Sequence, residues 1–119
     1  KSMRALRSFS SSCSTLNEVK IGMTMHQVGI ALARDRLTPS AFQRSVINAE
    51  MFDPQAALSA GFLDQVVAPD QLLATAQTIA QQLSQLHKTA HTQTKRKARK
   101  ALLDSLSAAI EVDKLTGLN

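Results

Sequence analysis

The clearest structural signal in the chain is the stretch Asp53-Pro54-Gln55-Ala56-Ala57-Leu58-Ser59-Ala60-Gly61-Phe62-Leu63-Asp64-Gln65-Val66-Val67. Asp53 can accept hydrogen bonds from the free N–H groups that open a helix, and Pro54 suits the first helical position. Gly61 favours the left-handed conformation in which many helices end. The pattern therefore predicts a short helix from Gln55 to Ala60, followed by a short strand-like run from Phe62 to Ala68.

Apolar residues recur at helical spacing in the rest of the chain. Residues 25–37 present one broad apolar face, and Thr38-Pro39 predicts the start of a second helix. An apolar residue stands at every third or fourth position through most of residues 69–86, which predicts an amphipathic helix. Residues 89–113 are predicted as one long final helix. We therefore predict an all-α fold of about five helices, two of them short.

The composition limits the class of protein. The chain has 119 residues, of which 44% are hydrophobic and 19% are charged, as is typical of one globular domain. Its single cysteine, Cys13, excludes an intramolecular disulfide and fits a reducing compartment, so we expect a cytoplasmic protein. No apolar run approaches the length needed to cross a membrane, and no membrane partner is expected.

The formal net charge of +5 is unevenly distributed. Basic residues are concentrated between Lys88 and Lys100, a segment that contains no acidic residue. A basic face attracts phosphate groups, although most charge runs are solvated helix faces. A module that binds anionic polymers is one hypothesis for this segment. Nucleic acid is not an expected partner, because the segment lacks interleaved aromatic residues and a recognisable reading module.

Three elements occur in a fixed order along the chain: Asn17-Glu18-Val19-Lys20-Ile21-Gly22, then Leu37-Thr38-Pro39, then the stretch 53–67 quoted above. Together they resemble the C-terminal part of the enoyl-CoA hydratase/isomerase family, the crotonase superfamily. The resemblance runs from about residue 17 to about residue 113. It implies the C-terminal helical region of the crotonase fold without the spiral β-core. It also implies an acyl-CoA thioester ligand, a place in fatty acid metabolism, and no cofactor apart from the coenzyme A of the thioester.

The resemblance implies that Glu18 is the general acid/base. Hydration of an enoyl thioester needs a carboxylate to activate water, and the thioester oxygen needs two N–H donors. In the family, these donors and the second glutamate of many hydratases lie upstream of the Glu18 motif. Asn17 also stands where many hydratases carry proline. We therefore expect the chain to be inactive by itself, and a surface or capping role for Glu18 is the alternative.

A second candidate site consists of Lys95, Arg96, Arg99 and Lys100. In the family, the corresponding helix lies near the binding site of the CoA nucleotide. By helical geometry, Lys95 and Arg99 share a face, as do Arg96 and Lys100. Either pair could clamp a phosphate group.

The spacing of two histidines raises the question of a metal site. His87 and His91 are four residues apart, a spacing that suits a metal ion on a helix. No cysteine or acidic residue lies nearby to supply the other ligands. We therefore predict a pair of surface histidines and no metal site.

The predicted organisation has three segments. Residues 1–16 are expected to be a flexible or non-family segment, and their basic, serine-rich composition is shared by transit peptides. Residues 17–113 form the crotonase-like helical domain, and residues 114–119 form a frayed tail. The predicted function is that of a C-terminal fragment of an enoyl-CoA hydratase/isomerase-like protein. The alternative is a non-catalytic helical oligomerisation or partner-binding module. Without a β-core the apolar helix faces need another cover, so a homo-oligomer is expected.

Overall fold

The computed structural model describes residues 6–8 and 15–116. The elements in chain order are β1 (Leu6–Ser8), a 3-10 turn (Val19–Ile21), α1 (Gln27–Arg36), α2 (Pro39–Phe42), a π-helical turn (Gln43–Ile47), α3 (Pro54–Ala60), β2 (Gln65–Val67), a second 3-10 turn (Pro69–Gln71), α4 (Leu72–Ser84), α5 (Lys88–Ala98) and α6 (Lys100–Thr116). The predicted all-α class is confirmed. The two strands have three residues each and pair in parallel, with Leu6 opposite Gln65.

The described residues form two compact units. The first unit contains residues 6–8 and 52–97, and the second contains residues 15–51 and 98–116. Of the predicted N-terminal segment 1–16, residues 1–5 and 9–14 lie outside the described part, and Cys13 is among them. Of the predicted tail, residues 114–116 belong to α6, and residues 117–119 lie outside the described part.

The first unit contains the short helix that its caps predict. The Asp53 side chain accepts a hydrogen bond from the Ala56 N–H at 2.8 Å, and Pro54 occupies the first turn of α3. Gly61 ends the helix in the left-handed conformation, with φ of 100°. The ring centroids of Phe52 and Phe62 lie 5.5 Å apart. Phe52 is fully buried, and with the inner face of α3 it forms the core of this unit.

The second unit is built around α1 and α6, which pack against one another. Ala33 on α1 and Ala109 on α6 are buried. The Thr38 hydroxyl accepts a hydrogen bond from the Ala41 N–H at 3.2 Å, which confirms the predicted start of α2. The other buried apolar side chains of this unit are Leu37, Ala41, Val46 and Ala49.

The prediction of one helix over residues 89–113 was wrong, because the chain forms α5 and α6 with an interruption at Arg99. No large apolar residue occurs between Leu86 and Leu102. Helix α5 therefore has no apolar face to bury, and every α5 residue except Lys95 is exposed. A continuous helix would also bring like charges together, because Lys95 is four positions from Arg99 and Arg96 is four positions from Lys100. Like charges at this spacing destabilise a helix.

A membrane-spanning helix needs about 20 mostly apolar residues. None of the helices within residues 15–116 is long and apolar enough to cross a membrane.

Candidate functional site

Glu18 lies at the entrance of a tight turn in the second unit. Its backbone carbonyl accepts hydrogen bonds from the N–H groups of Ile21, at 3.2 Å, and Met23, at 2.8 Å. Gly22 closes the turn in the left-handed conformation, with φ of 83°. A Cβ atom at Gly22 would meet no atom within 4 Å. The glycine of the Glu-x-x-x-Gly element is therefore required for its backbone conformation and not for space.

The Glu18 side chain lines a cleft of about 450 Å³. The other residues that line this Glu18 cleft are Met25, His26, Val28, Gly29, Ile110, Asp113 and Lys114. All of them belong to α1, to α6 or to the residues directly before α1. Met25, Val28 and Ile110 give the cleft apolar walls, and its polar groups are those of four ionisable residues. Small-molecule sites commonly combine an apolar lining with a few polar groups.

Gly29 shapes one wall of the cleft. A Cβ atom added at Gly29 would lie 2.8 Å from the Met25 Cε atom and 3.3 Å from its Sδ atom. The Met25 side chain therefore lies directly over the backbone of α1. The absent side chain of Gly29 is what allows this close approach.

Two side-chain atoms in the cleft are buried without a hydrogen-bond partner. They are Glu18 Oε2 and His26 Nε2, and neither finds a donor or acceptor among the described residues. Both residues are half-buried as a whole. Unsatisfied buried polar atoms are rare, and these two atoms keep hydrogen-bonding positions that the described residues do not use.

Asp113 organises the cleft from the far end of the chain. Its two carboxylate oxygens accept hydrogen bonds from the first N–H groups of α1, at 2.9 Å from Gln27 and 3.0 Å from Val28. Asp113 is buried, and the residue before α1, His26, provides no side-chain cap. The hydrogen bond from Val28 lowers the pKa of the Asp113 carboxyl; the bond from Gln27 and the nearby His26 act in the same direction, and burial opposes them.

Neither Asp113 nor His26 was predicted from the sequence as a site residue. Asp113 carried a signal, since an acidic residue near the C-terminal end of a helix is unfavourable in the field of that helix. Its partner is the N-terminus of another helix, where a negative charge is favourable. The bonds connect residues separated by 85 and 86 positions, which local patterns do not record.

The four basic residues of the second candidate site are divided between the two units. Lys95 and Arg96 belong to α5 in the first unit, whereas Arg99 and Lys100 belong to the second unit. Lys95 and Arg99 therefore do not lie on one continuous helix, and neither do Arg96 and Lys100. Lys100 Nζ donates to Asp104 Oδ2 at 2.8 Å, and this hydrogen bond raises the pKa of Lys100. The proposal that these residues bind phosphate stays a prediction.

The histidine pair has a structural explanation. His87 Nδ1 accepts a hydrogen bond from the Ala90 N–H at 3.2 Å, so this side chain caps α5. His91 is exposed on the same helix. Within residues 6–8 and 15–116, no group of three or more potential ligand side chains is placed to hold a metal ion.

Comparison with known proteins gives a consistent family. A family model described as enoyl-CoA hydratase/isomerase matches residues 8–116. No curated protein matches the chain. Among solved structures, the chain is similar to an enoyl-CoA hydratase/isomerase family protein from Pseudomonas syringae, with 55% sequence identity and a TM-score of 0.90. That similarity covers 92% of this chain and 48% of the Pseudomonas chain.

Two further solved structures support the same fold. An enoyl-CoA hydratase from Mycobacterium marinum is 34% identical, with a TM-score of 0.84, over 89% of this chain and 47% of that chain. The human mitochondrial delta3-delta2-enoyl-CoA isomerase is 26% identical, with a TM-score of 0.82, over 91% of this chain and 42% of that chain. The chain therefore spans about half the length of the solved relatives that it matches.

Proposed function

Because the chain belongs to the enoyl-CoA hydratase/isomerase family, we propose that it forms the helical part of a site for acyl-CoA thioesters, with Glu18 as general acid/base. The observation that carries this proposal is the buried, unpartnered Oε2 atom of Glu18 in an apolar cleft. A carboxylate in this position can exchange a proton with a ligand without competition from a neighbouring side chain. The resemblance of the Glu18–Gly22 element to the family motif supports the same role.

In our proposal, the Glu18 cleft does not supply all the groups that the reaction needs. Enolate chemistry needs two N–H groups directed at the thioester oxygen. The most exposed donors of a helix are those at its N-terminus, but Asp113 already accepts the bonds of Gln27 and Val28 at the start of α1. We propose that the donors come from segments that correspond to the other half of the solved relatives. The residues described here would then bind ligand without turning it over.

We propose that the phosphate groups of coenzyme A bind to basic residues of this segment, which are Lys95 and Arg96 in the first unit and Arg99 and Lys100 in the second. Lys95 and Arg99 are half-buried, which restricts their long side chains and favours a defined contact over a solvated face. Coenzyme A itself enters only as part of the thioester, and no separate cofactor is proposed. The family match does not favour the alternative of a non-catalytic association module.

Three further parts of the function are proposed on indirect support. Large apolar side chains are exposed on both units, which supports a homo-oligomer. The single cysteine supports a reducing compartment such as the cytoplasm. An acyl-CoA ligand supports a place in fatty acid metabolism.

The proposal is tested first by calorimetric titration of the chain with butanoyl-CoA and with free coenzyme A. We expect saturable binding that weakens in the double variant Lys95→Ala/Arg99→Ala. The matched control is Lys88→Ala/Lys97→Ala, which removes the same charge from exposed positions of α5. Equal weakening in both variants would show a general charge effect and contradict a specific phosphate site.

The role of Glu18 is tested in a protein that has turnover. The residues of the chain can be joined to the segment of the Pseudomonas relative that they do not cover, and hydration or isomerisation then measured. Glu18→Gln keeps the shape of the side chain and removes its proton transfer, so we expect activity to fall by about 100-fold or more. Unchanged turnover in this variant would remove Glu18 from the mechanism.

A further inference from the structure

Helix α5 has little support from the rest of the first unit. It has 11 residues and contains no large apolar side chain. Every residue of the helix except Lys95 is exposed, and no other described element of this unit packs extensively against it. An isolated helix shorter than about 12 residues is only marginally stable in water. The stability of α5 therefore depends strongly on the hydrogen bonds at its own ends.

The first turn of α5 is closed by His87. The His87 carbonyl accepts a hydrogen bond from the His91 N–H at 2.8 Å, which is the first bond of the helix. The Nδ1 atom of the same residue accepts a hydrogen bond from the Ala90 N–H at 3.2 Å. This is the geometry of an N-cap, in which a side chain satisfies an N–H group that the helix itself leaves free. His87 thus contributes both a backbone and a side-chain acceptor to the start of α5.

An imidazole cap differs from a hydroxyl or carboxylate cap because its acceptor can take up a proton. A neutral imidazole has one acceptor nitrogen, whereas an imidazolium has two N–H donors and no acceptor. The bond from Ala90 therefore requires neutral His87 with its proton on Nε2. Histidine is the side chain that ordinarily changes its charge between about pH 5 and pH 8. Acidification in this range removes the acceptor.

The charges near His87 reinforce this effect. Lys88 occupies the first position of α5, where the field of the helix disfavours a positive charge. An imidazolium at His87 adds a second positive charge at the same end. His91 lies four positions further on, so the two histidines repel one another when both are protonated. The preceding helix α4 contains no charged residue that could offset these charges.

We propose that His87 makes α5 a pH-sensitive element, which is helical while this imidazole is neutral and opens when it is protonated. The helix is present above the pH range in which His87 titrates and is lost as the pH falls through that range. Opening changes the presentation of Lys95, Arg96 and Lys97, which have a fixed helical spacing only while α5 is formed. The inference does not depend on the ligand that these basic residues bind.

NMR spectroscopy of the whole chain tests the proposal. The Cα chemical shifts of Ala90 and His91 report the helix, and the imidazole nitrogen shifts of His87 report its protonation and tautomer. We expect the Nε2–H tautomer in the neutral form. On protonation, the ratio of helical to open α5 should fall about 5-fold, which is the usual effect of losing a cap.

Three variants separate the cap from other effects of pH. His87→Asn keeps a side-chain acceptor that does not titrate in this range, so α5 should lose most of its pH dependence. His87→Ala has no acceptor, and its α5 should be mostly open even at neutral pH. His91→Asn removes the other histidine of this segment and leaves the cap in place, so it should retain most of the response.

The outcomes that would overturn the proposal are equally specific. The same loss of helix in His87→Asn would assign the pH dependence to another group. Helical Cα shifts that persist after His87 has taken up its proton would show that the cap does not hold α5. A neutral form with the proton on Nδ1 would mean that the capping bond does not exist. Resonances of α3 that change together with those of α5 would indicate general acid unfolding and would also contradict the proposal.

Discussion

Asp113 shows how one side chain can hold together two helices that line the same cleft. It caps the first turn of α1 from the last turns of α6, and so connects the two helices that form the second unit. A cap from a distant segment ties the end of one helix to the packing of another. The position of His26 therefore depends on a residue almost at the other end of the chain.

We predict that the stability of the protein decreases in acid partly through Asp113. The pKa of this carboxyl in the folded state is lowered, below its ordinary value of about 4. The stabilisation is therefore complete above the ordinary pKa and is lost as the pH falls through the lowered one. In thermal unfolding, the Asp113→Asn variant should have a lower melting temperature than the unmodified chain near neutral pH. Its melting temperature should also fall less on acidification.

The control for this prediction is Asp104→Asn, which removes a charge from an exposed ion pair on the same helix. Exposed pairs contribute little, so its melting profile should resemble that of the unmodified chain. The amide resonances of Gln27 and Val28 provide a local readout, since both donate to Asp113. A pH profile that is the same with and without Asp113 would contradict the prediction.

Gly22 is the second single residue for which the structure gives a clear expectation. Its φ of 83° lies in the left-handed region, and a Cβ atom there would meet no neighbour within 4 Å. Gly22→Ala should therefore lower the free energy of unfolding by about 1 kcal/mol through backbone strain alone. Gly22→Asn should lower it less, because asparagine tolerates this conformation. Urea denaturation measures both, and equal stability of the alanine variant would contradict the assignment.

The helices begin where short-range chemistry predicts. Thr38 and Asp53 each accept a hydrogen bond from an N–H group three residues later, and each is followed by proline. These bonds lie within single turns of chain, so a sequence pattern records them completely. The break at Arg99 is different, because it depends on whether each part of the predicted helix has something to pack against.

We predict that the two caps contribute separately to stability. Thr38→Ala and Asp53→Ala should each lower the free energy of unfolding by about 1 kcal/mol. Thr38→Ser and Asp53→Asn keep a side-chain oxygen at the cap and should have much smaller effects. The urea midpoints of the four variants provide the measurement. A midpoint for Thr38→Ala that equals that of Thr38→Ser would mean that the hydroxyl bond does not support α2.

Large apolar side chains are exposed on both units of the described part of the chain. On α4, Leu73 is 70% exposed and Leu83 is 42% exposed, and no residue of this fully described helix is buried. Within its own unit α4 contacts β1 and the turn before it, and this contact covers its apolar face only in part. Self-association through this face stays a prediction, and it can be measured directly.

We predict a solution mass above that of one chain in sedimentation velocity experiments. The double variant Leu73→Gln/Leu83→Gln should shift the distribution toward the monomer, because it removes apolar area from the exposed face of α4. Leu115→Gln is the control, since Leu115 is 87% exposed at the end of α6, in the second unit. A chain that remains monomeric at high concentration would contradict self-association.

The helical class, the starts of α2 and α3, the end of α3 and the family were all readable from the sequence, because each depends on residues a few positions apart. Glu18 could also be singled out, since its motif is local. The division between α5 and α6, the cap from Asp113 and the shared cleft of Glu18 and His26 were settled only by tertiary structure. Each of these depends on which helix faces find a partner, and the bonds from Asp113 span more than 80 positions. Contacts between residues so far apart in the sequence leave no periodic pattern. Each partner restricts the residue at its own position and not the residues next to the other partner.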